Sequence, residues 1–505
     1  MILQVLRQNY KIIIMRFDRK DILLLCLIAL LFVTIMSSTS FLYDYWYPLD
    51  STIYQIIGKG WTEGNIPYVD LWDQKGPLLY FINALGYLIT GNKYGIFVIE
   101  LIVYICFFLS CFYFFRKSFT SGKAIALVTL VACHLSQLMA GGNNIEQYVL
   151  PALMLAFIHV WEWAEKSTKE HQVTHSWKWA FFFGLILSAC MLTRLTNAVG
   201  ICIAFGIIVI YLFYYKQWKD LGDNIMGFFL GFFFLSVPFW AYFYMHDGLY
   251  ELFYATILFN IDYFNDSSLN IGTAYELISK ILAYVGTYGL LTLSLILCLY
   301  DKVRVQFHLI WAIVSGFTLL YFLKTAMIEH YAIIAVPYYV IMIAEFHRLY
   351  YIFTHQRHYK AIVQSIAVVF CVIMLINGSF QVYQSLGNIN QKTELIKQFD
   401  NDIINRKDVE KTQLICYGVH PLVYLHNHIT PECRFFALQD SYIKHSESLR
   451  PKVINSFEKT KPRYILLCKS SKRPLIHSVL SKFYIKTDNL KCGSLYVCTD
   501  KNKKE

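Results

Sequence analysis

Charged residues are scarce in this chain of 505 residues: Asp, Glu, Lys and Arg make up 16% of it, against 56% hydrophobic residues. Ordinary soluble domains are about one-quarter charged, so this composition argues against a soluble enzyme of the usual kind. Aromatic residues reach 17%, and the mean hydropathy is +0.43. The composition therefore indicates a protein that is largely embedded in a membrane.

Several short motifs are also missing. The sequence contains no Gly-x-x-x-x-Gly-Lys-Ser/Thr phosphate loop, so nucleotide hydrolysis has no support. The 13 cysteines show neither zinc-ligand spacing nor a Cys-x-x-Cys pair. Paired broken helices at matching positions in two halves, which are typical of many secondary transporters, are not evident. A cytoplasmic catalytic domain of the kind that a nucleotide-sugar enzyme needs is not visible either.

Long apolar runs dominate what is present. A helix of about 20 apolar residues spans the hydrocarbon core, and shorter helices are tolerated inside a crowded bundle. We predict about eleven transmembrane helices, at Ile22–Ser40, Phe97–Phe115, Ile125–Ala140, Tyr148–Trp161, Ala180–Met191, Val199–Tyr215, Ile225–Tyr244, Ile281–Tyr300, Leu309–Leu323, Tyr331–Ala344 and Ile362–Ile376. The shorter run Leu78–Thr90 favours an interfacial or re-entrant helix.

Lysine and arginine determine the predicted orientation, because cytoplasmic connections between spans retain positive charge. Residues 1–20 are basic and precede the first span, which predicts a cytoplasmic N-terminus. Alternation from there places residues 42–94, the first outside loop, on the opposite side. The connection 245–276 lies on the same side as that loop and contains no Lys or Arg. We therefore expect a transmembrane bundle at 21–377.

The composition changes after the last apolar run. Residues 378–505 carry more Lys and Arg than Asp and Glu, and their apolar runs are short. We expect a small α/β domain on the outside face, because these runs are rich in β-forming residues and alternate with helical patterns. Its predicted strands are Gln413–Val419, Tyr464–Cys468 and Ser494–Cys498, and its predicted helices are Ser441–Phe457 and Leu475–Phe483.

The first outside loop concentrates charge beside the predicted membrane boundary. Asp50 follows the first span, and Asp70, Asp73 and Lys75 precede a Gly76-Pro77 break. Ionisable residues next to lipid are costly, so such a cluster is by default a hypothesis of function. Plainer interpretations are a helix cap for Asp50, solvated loop charges for the other carboxylates, and a side chain that reaches from the interface to water for Lys75. We interpret the cluster as an active site.

Further polar residues lie at the predicted outside ends of later spans. Glu146 enters a span directly after a Gly-Gly-Asn-Asn stretch, where the positive end of a helix also favours a carboxylate. Arg194 is a lone cation between two apolar runs and could alternatively pair with a carboxylate of the bundle. His330 and Tyr331 open a late span, with Lys324 six residues upstream. Tyr263 belongs to an aromatic stretch that suits either a sugar or a membrane interface.

These features resemble the GT-C superfamily of glycosyltransferases that use polyprenyl-phosphate sugars, above all the protein O-mannosyltransferases and the bacterial aminoarabinose transferases. The motifs that carry the resemblance are an Asp just after the first span, a Gly-x-x-Pro-Tyr-x-Asp stretch at 64–70, and a Lys-Gly-Pro-Leu element at 75–78. Gly76 stands where some members have proline, and Gln74 where an acidic residue often precedes the lysine. These departures leave a divalent cation an open question.

The resemblance implies a role for each candidate residue. A lipid-phosphate donor already carries a good leaving group, so the reaction needs a base for the acceptor hydroxyl and cations for the phosphate. Asp50 would be the general base, and Lys75, Arg194 and His330 would hold the donor phosphate. Asp70, Asp73 and Glu146 would contact the acceptor or a metal ion, and Tyr331 and Tyr263 would contact the sugar.

The implied function is inverting transfer of a sugar from a polyprenyl-phosphate donor to a hydroxyl of a glycolipid, glycan or protein. The implied location is the bacterial cytoplasmic (inner) membrane, with the active site facing the periplasm. The implied partners are the donor, a lipid or glycan acceptor and membrane lipids, without nucleic acid. Two alternatives stay open: a flippase or transporter of lipid-linked sugars, and an oligosaccharide polymerase or ligase with a lipid-diphosphate donor.

Overall fold

Helices form most of the structure, a computed structural model that describes residues 18–170, 173–266, 281–324, 329–353, 357–405, 409–410, 413–468 and 474–499. Each of the eleven predicted spans overlaps a helix, which confirms the predicted α-helical class. These helices are Arg19–Met36, Tyr94–Phe115, Ser121–Ser136, Ile145–Glu170, Trp177–Met191, Val199–Tyr214, Trp218–Met245, Val285–Tyr300, Val305–Lys324, Val336–Ile352 and Arg357–Leu386.

Six helical segments of the described ranges are long and apolar enough to cross a membrane. They are Tyr94–Phe115, Leu195–Tyr214, Trp218–Met245, Lys302–Phe322, His330–Ile352 and Ala361–Leu386. Four further apolar helices are shorter, Pro77–Thr90, Ser121–Ser136, Trp177–Met191 and Val285–Tyr300. The most apolar stretches of Trp218–Met245 and Ala361–Leu386 are only 17% buried, which suits helices that face lipid.

The chain divides into two compact units. The bundle unit comprises Met1–Ser37, Val98–Val237 and Leu269–Leu386, and the loop unit comprises Ser38–Phe97, Pro238–Ser268 and Gly387–Glu505. The sequence-based division assigns residues 42–94 to the bundle, whereas the structure groups them with the C-terminal residues. Contacts inside the loop unit explain this grouping: the Trp72 amide donates to the Arg434 carbonyl at 2.9 Å, and the Asn260 side chain donates to the Gln74 carbonyl at 3.0 Å.

A pair of short helices, Leu49–Thr62 and Pro77–Thr90, forms the start of the loop unit. The helices approach closely at Gly58, where an added Cβ would lie 2.5 Å from the Asn83 Cβ. Pro77 occupies the first turn of the second helix, where a missing amide hydrogen costs nothing. Gly91 ends that helix with a left-handed φ of 74°. The segment between the two helices carries Asp70, Asp73 and Lys75.

The C-terminal part of the loop unit contains a four-stranded sheet. Its strands are β1 Leu414–Tyr417, β2 Tyr464–Leu467, β3 Tyr484–Asn489 and β4 Ser494–Cys498, in the order β1-β2-β4-β3. β1 and β2 are parallel, and both other pairings are antiparallel. The helices Gln439–His445, Arg450–Thr460 and His477–Phe483 accompany the sheet. The predicted α/β character and three predicted strands are therefore confirmed.

β3 and the break in one helix are two differences from prediction. β3 is an edge strand whose side chains are largely exposed, so it lacks the apolar run that marks the other three strands. The helix expected over Ser441–Phe457 is two helices, because the chain turns through the 3-10 segment Glu447–Leu449 between them. Pro451 then occupies the start of the second helix.

Candidate functional site

The helix Leu49–Thr62 begins directly after Pro48, and Asp50 lies in its first turn. Its side chain is partly exposed, and the positive end of the helix favours a carboxylate there. The charge of Asp50 reaches both Asp73 and Tyr442. Asp50 is therefore a partly exposed carboxylate whose charge acts on Asp73, in the segment between the two short helices.

Asp73 is buried, with only 3% of its surface exposed. The Tyr80 hydroxyl donates to Asp73 Oδ2 at 2.7 Å, and the Tyr442 hydroxyl donates to Asp73 Oδ1 at 3.0 Å. Tyr80 belongs to the second helix of the pair, and Tyr442 belongs to the helix Gln439–His445. Asp73 thus joins the first outside loop to the C-terminal part of the loop unit.

Lys75 follows Asp73 and is held by its backbone. Its carbonyl accepts a hydrogen bond from the Tyr68 hydroxyl at 2.6 Å, and its amide donates to the Tyr80 hydroxyl at 3.2 Å. Burial raises the pKa of Asp73, while the Lys75 charge and the Tyr80 hydroxyl lower it and Asp50 raises it further. Asp50 and Lys75 therefore both act electrostatically on Asp73.

The remaining candidates of the loop unit occupy different surroundings. Asp70 is exposed, and its Oδ2 accepts a hydrogen bond from the Ile66 amide at 2.7 Å, so it closes the turn before Trp72. Tyr263 lies in the helix Phe259–Asp266, but its side chain is outside the described residues, as is the side chain of Lys324 in the bundle unit. The roles predicted for these three residues stay predictions.

Removal of the Asp73 carboxylate should destabilise the loop unit. In Asp73→Ala, the hydroxyls of Tyr80 and Tyr442 lose a charged acceptor in a buried site, at a cost of about 1–3 kcal/mol for each unpaired group. We expect equilibrium unfolding in mixed micelles to show this loss. The exposed carboxylate Asp247 offers a control, because its φ of 52° suits asparagine and Asp247→Asn should leave stability unchanged. Equal stability of Asp73→Ala and wild type would contradict the assignment.

The raised pKa of Asp73 also predicts a pH dependence. Because the folded protein binds this proton more tightly than the unfolded chain does, the free energy of unfolding should fall as pH rises from 3.8 through the raised pKa. Asp73→Asn keeps the shape but cannot ionise, so it should lack this part of the decline. Unfolding measured across pH for wild type, Asp73→Asn and Asp247→Asn checks the prediction; parallel curves for all three would refute it.

The bundle unit contains a second group of candidates, centred on Glu146 and Arg194. Arg194 Nη1 donates to Glu146 Oε1 at 2.9 Å, and the Glu146 side chain is fully buried. The Arg194 guanidinium carbon lies 3.3 Å from the centre of the Tyr331 ring, a cation–π contact. The other carboxylate oxygen of Glu146 is buried and has no hydrogen-bond partner within the described part of the chain. Pairing of Arg194 with a bundle carboxylate, the alternative from sequence, is therefore confirmed.

His330 and Tyr331 lie in a tight 3-10 segment, Glu329–Ala335, that leads into the helix Val336–Ile352. Each retains 8% exposure, and their rings meet edge to face with centroids 4.9 Å apart. The structure thus brings three predicted residues of the bundle unit, Arg194, Tyr331 and Glu146, into direct contact, with His330 next to Tyr331.

Glu100 is a buried carboxylate that the sequence analysis missed. It lies in the helix Tyr94–Phe115 and accepts hydrogen bonds from Ser37 Oγ at 2.8 Å, the Asn143 amide at 2.6 Å and Gln147 Nε2 at 2.8 Å. The loop that it holds has four consecutive residues with positive φ, Ala140 to Asn143. Gly142 packs so closely that an added Cβ would lie 2.3 Å from Ser37 Oγ. Glu100 therefore holds in place the loop that leads into the helix Ile145–Glu170, in whose first turn Glu146 lies.

Two replacements of Glu100 separate the contributions of side-chain shape and of hydrogen bonding to stability. Glu100→Gln keeps an acceptor for Asn143 and Gln147 and should lose little stability. Glu100→Leu removes the acceptor of three buried hydrogen bonds, and we expect a loss of at least about 3 kcal/mol, since each such loss costs about 1–3 kcal/mol. Unfolding in mixed micelles compares the two variants; similar losses for Gln and Leu would show that the acceptor oxygens do not matter.

No group of three or more His, Cys, Asp or Glu side chains that could hold a metal ion occurs among the residues that the structure describes. Asp73 uses its two oxygens for tyrosine hydroxyls, and Asp70 uses one for a backbone amide. The sequence-based hypothesis of a divalent cation at Asp70, Asp73 or Glu146 stays a prediction.

Comparison with known proteins gives a likeness in structure only. No protein-family model and no curated protein sequence matches the chain. Two crystal structures of ArnT from Cupriavidus metallidurans do match. The structure bound to undecaprenyl phosphate has a TM-score of 0.56 and 11% sequence identity, and covers 96% of this chain and 99% of ArnT. The apo structure has a TM-score of 0.53 and 10% identity, and covers 94% and 97%.

The likeness extends over almost the full length of both chains, which includes the helical bundle and the C-terminal sheet. Such coverage is a match of whole architecture and goes beyond a shared pair of helices. Together with the six long apolar helices, it makes this chain an integral membrane protein. The chain thus has a fold like that of ArnT.

Proposed function

We propose that this protein is an inverting glycosyltransferase that moves a sugar from a polyprenyl-phosphate donor to a hydroxyl acceptor. A glycolipid, a glycan or a protein could supply that hydroxyl. The reaction would take place on the outer face of a bacterial cytoplasmic membrane. Transfer from a panel of hexose and pentose donors would identify which class of sugar is moved.

The placement of Asp50 is the observation that carries the proposal. It is a partly exposed carboxylate in a first helical turn, within electrostatic reach of the buried Asp73, which in turn senses Lys75. A general base needs access to substrate, and a phosphate ligand needs positive charge; Asp50 and Lys75 supply these two properties in one short stretch. Asp73, with both oxygens bonded to tyrosines, fits a positioning role better than contact with the acceptor.

The proposed step is a direct displacement. The acceptor oxygen attacks the anomeric carbon of the sugar, and Asp50 takes the hydroxyl proton. The bond between the anomeric carbon and the phosphate oxygen breaks, and its electron pair leaves with the lipid phosphate, so the configuration at that carbon inverts. Positive charge from Lys75 stabilises the departing phosphate more than it stabilises the bound donor. In the bundle unit, Arg194 and His330 stay predicted phosphate ligands.

The fold supports the same reaction class. ArnT was crystallised with undecaprenyl phosphate, a polyprenyl phosphate of the type that remains after the proposed transfer. We infer the donor class of this chain from that likeness together with Asp50 and Lys75, since 11% identity carries no residue-level argument by itself.

Sugar transfer by the purified protein tests the proposal. The full chain, reconstituted in vesicles, would receive a panel of radiolabelled polyprenyl-phosphate hexoses and pentoses with a membrane-lipid extract as acceptor, with and without chelator. We expect label to move from one donor into an acceptor fraction, with inversion at the anomeric carbon. Movement of labelled donor across the vesicle membrane without transfer would instead identify a flippase. Transfer from a lipid-diphosphate donor alone would identify the polymerase or ligase class.

A further inference from the structure

Two neighbouring cavities lie in the bundle unit, and neither is lined by Glu146 or Arg194. The first, the apolar cavity, has a volume of about 650 Å³ and is lined mainly by the helices Ser121–Ser136, Val285–Tyr300, Val336–Ile352 and Arg357–Leu386. The second, the polar cavity, has a volume of about 750 Å³. His347 lines both cavities, so they meet at its ring. Each volume is typical of a ligand site.

The apolar cavity suits a hydrocarbon chain of limited length. Its lining is aliphatic and aromatic, with Leu293, Met342 and Phe370 as examples. Along the last helix the lining runs from Val363 to Cys371, nine residues whose ends lie about 12 Å apart at 1.5 Å per residue. A leaflet supplies half of the roughly 30 Å hydrocarbon core, so this length fits part of one acyl chain. A polyprenyl chain, built from many isoprene units, would extend far beyond it.

The polar cavity offers positive charge at the end of this apolar space. Four cations line it, Lys117, Lys166, Arg304 and Arg348, against three carboxylates, Glu162, Glu165 and Glu345. Several are paired: Arg304 with Glu165 at 2.9 Å, and Arg348 with Glu345 at 3.4 Å. The Arg304 Nη1 atom is nevertheless buried without a hydrogen-bond partner in the described residues. A buried guanidinium nitrogen without an acceptor is costly, and a phosphate oxygen would satisfy it.

The polar cavity is remote from the candidate site of the same unit. Arg304 precedes the helix Val305–Lys324, and Tyr321, near the other end of that helix, senses the charge of Arg194. The 17 residues between Arg304 and Tyr321 correspond to about 25 Å of helix. A phosphate bound at Arg304 in the polar cavity would therefore lie at the opposite end of that helix from Tyr321.

We propose that the paired cavities bind one anionic glycerophospholipid, with an acyl chain in the apolar cavity and the headgroup phosphate against Arg304 and Arg348. Charge complementarity selects the headgroup, because the lining carries one more cation than carboxylate and guanidinium groups match phosphate oxygens in a bidentate manner. The length of the apolar cavity selects an acyl chain over a polyprenyl chain. This lipid site is independent of the proposed sugar transfer.

Native mass spectrometry of the delipidated full-length protein tests the site directly. Phosphatidylglycerol, phosphatidylcholine with the same acyl chains, and undecaprenyl phosphate would be titrated separately. We expect saturable binding of phosphatidylglycerol, at least about tenfold tighter than that of phosphatidylcholine, since charge-assisted contacts to phosphate are lost or weakened when the headgroup carries no net charge. Equal affinity for the two phospholipids would overturn the proposal, and preference for undecaprenyl phosphate would replace the acyl lipid with a polyprenyl one.

Matched variants locate the binding. Arg304→Gln with Arg348→Gln should weaken phosphatidylglycerol binding about tenfold or more, whereas Lys302→Gln, an exposed cation outside both linings, should not change it. Because the arginine variants also break ion pairs, Ala367→Phe provides a second arm that fills the apolar cavity without altering charge. Val368→Phe, on the exposed side of the same helix, is its control. Unchanged binding in both Ala367→Phe and the arginine variant would refute the site.

Discussion

Asp50→Asn should reduce kcat/KM for sugar transfer by about 10² to 10⁴, the usual contribution of a positioned general base. Asparagine preserves the size and the partial exposure of the side chain, but it cannot take up the proton of the attacking hydroxyl. Donor binding should persist, because the proposed phosphate ligand Lys75 is untouched. Single-turnover transfer and equilibrium binding of a polyprenyl-phosphate sugar, measured on the same preparation, separate these two effects.

Asp247→Asn is the matched control for this experiment. It makes the same chemical change on an exposed carboxylate of the loop unit and should transfer sugar at the wild-type rate. Transfer by Asp50→Asn at the wild-type rate would remove Asp50 from the chemistry, although the glycosyltransferase proposal would survive if wild type is active. Loss of donor binding in Asp50→Asn would assign the residue to binding instead.

Arg194→Met should destabilise the bundle unit by about 3–5 kcal/mol, because it leaves the fully buried Glu146 carboxylate without its cation. Met also removes the guanidinium from the Tyr331 ring. Glu146→Gln in the same chain removes the orphaned charge, so the double variant should be more stable than Arg194→Met alone. A double-mutant cycle by unfolding in mixed micelles gives the coupling energy.

An exposed pair serves as the comparison for this cycle. Arg450 and Glu447 form an ion pair whose side chains are 49% and 69% exposed, so Arg450→Met should have little effect on unfolding. Additive losses for Arg194→Met and Glu146→Gln would show that the two side chains do not depend on each other. If the variants fold but bind donor more weakly, the predicted phosphate role of Arg194 gains support independently of stability.

Helix positions were largely predictable from the sequence, because apolar runs of this length have few other structures available. All eleven predicted spans overlap helices, and the short run Leu78–Thr90 is the separate helix Pro77–Thr90. Length was harder to predict: several predicted spans belong to helices of 15 to 18 residues, or to the charged helix Ile145–Glu170. Edge strand β3 escaped prediction because its exposed side chains carry no apolar signal.

The sequence allowed individual candidate residues to be selected by their charge and position, but not their contacts with one another. Arg194 and Glu146 each drew attention as charges at the ends of spans, yet their mutual contact crosses 48 residues and no sequence period encodes it. Glu100 could have been found, since a lone carboxylate inside the apolar run Phe97–Phe115 is a functional hypothesis by the same rule that selected Arg194. Asp73 was one of several loop carboxylates in the sequence, and its burial against Tyr80 and Tyr442 required the fold.

The hydrogen bond between Asp73 and Tyr442 joins residues that lie 369 positions apart. At the usual elongation rate of about 5–20 residues per second, a ribosome needs roughly 20 to 70 s to travel from one to the other. During that interval Tyr442 has not yet been synthesised, so its hydroxyl cannot donate to Asp73. The Asp73 carboxylate must then be hydrated or contact another group. A chain that is released early, before the helix Gln439–His445 is made, would therefore display an unfinished loop. Such a truncated product would lack the Tyr442 hydrogen bond to Asp73 and should be cleaved by an added protease faster than the full-length chain.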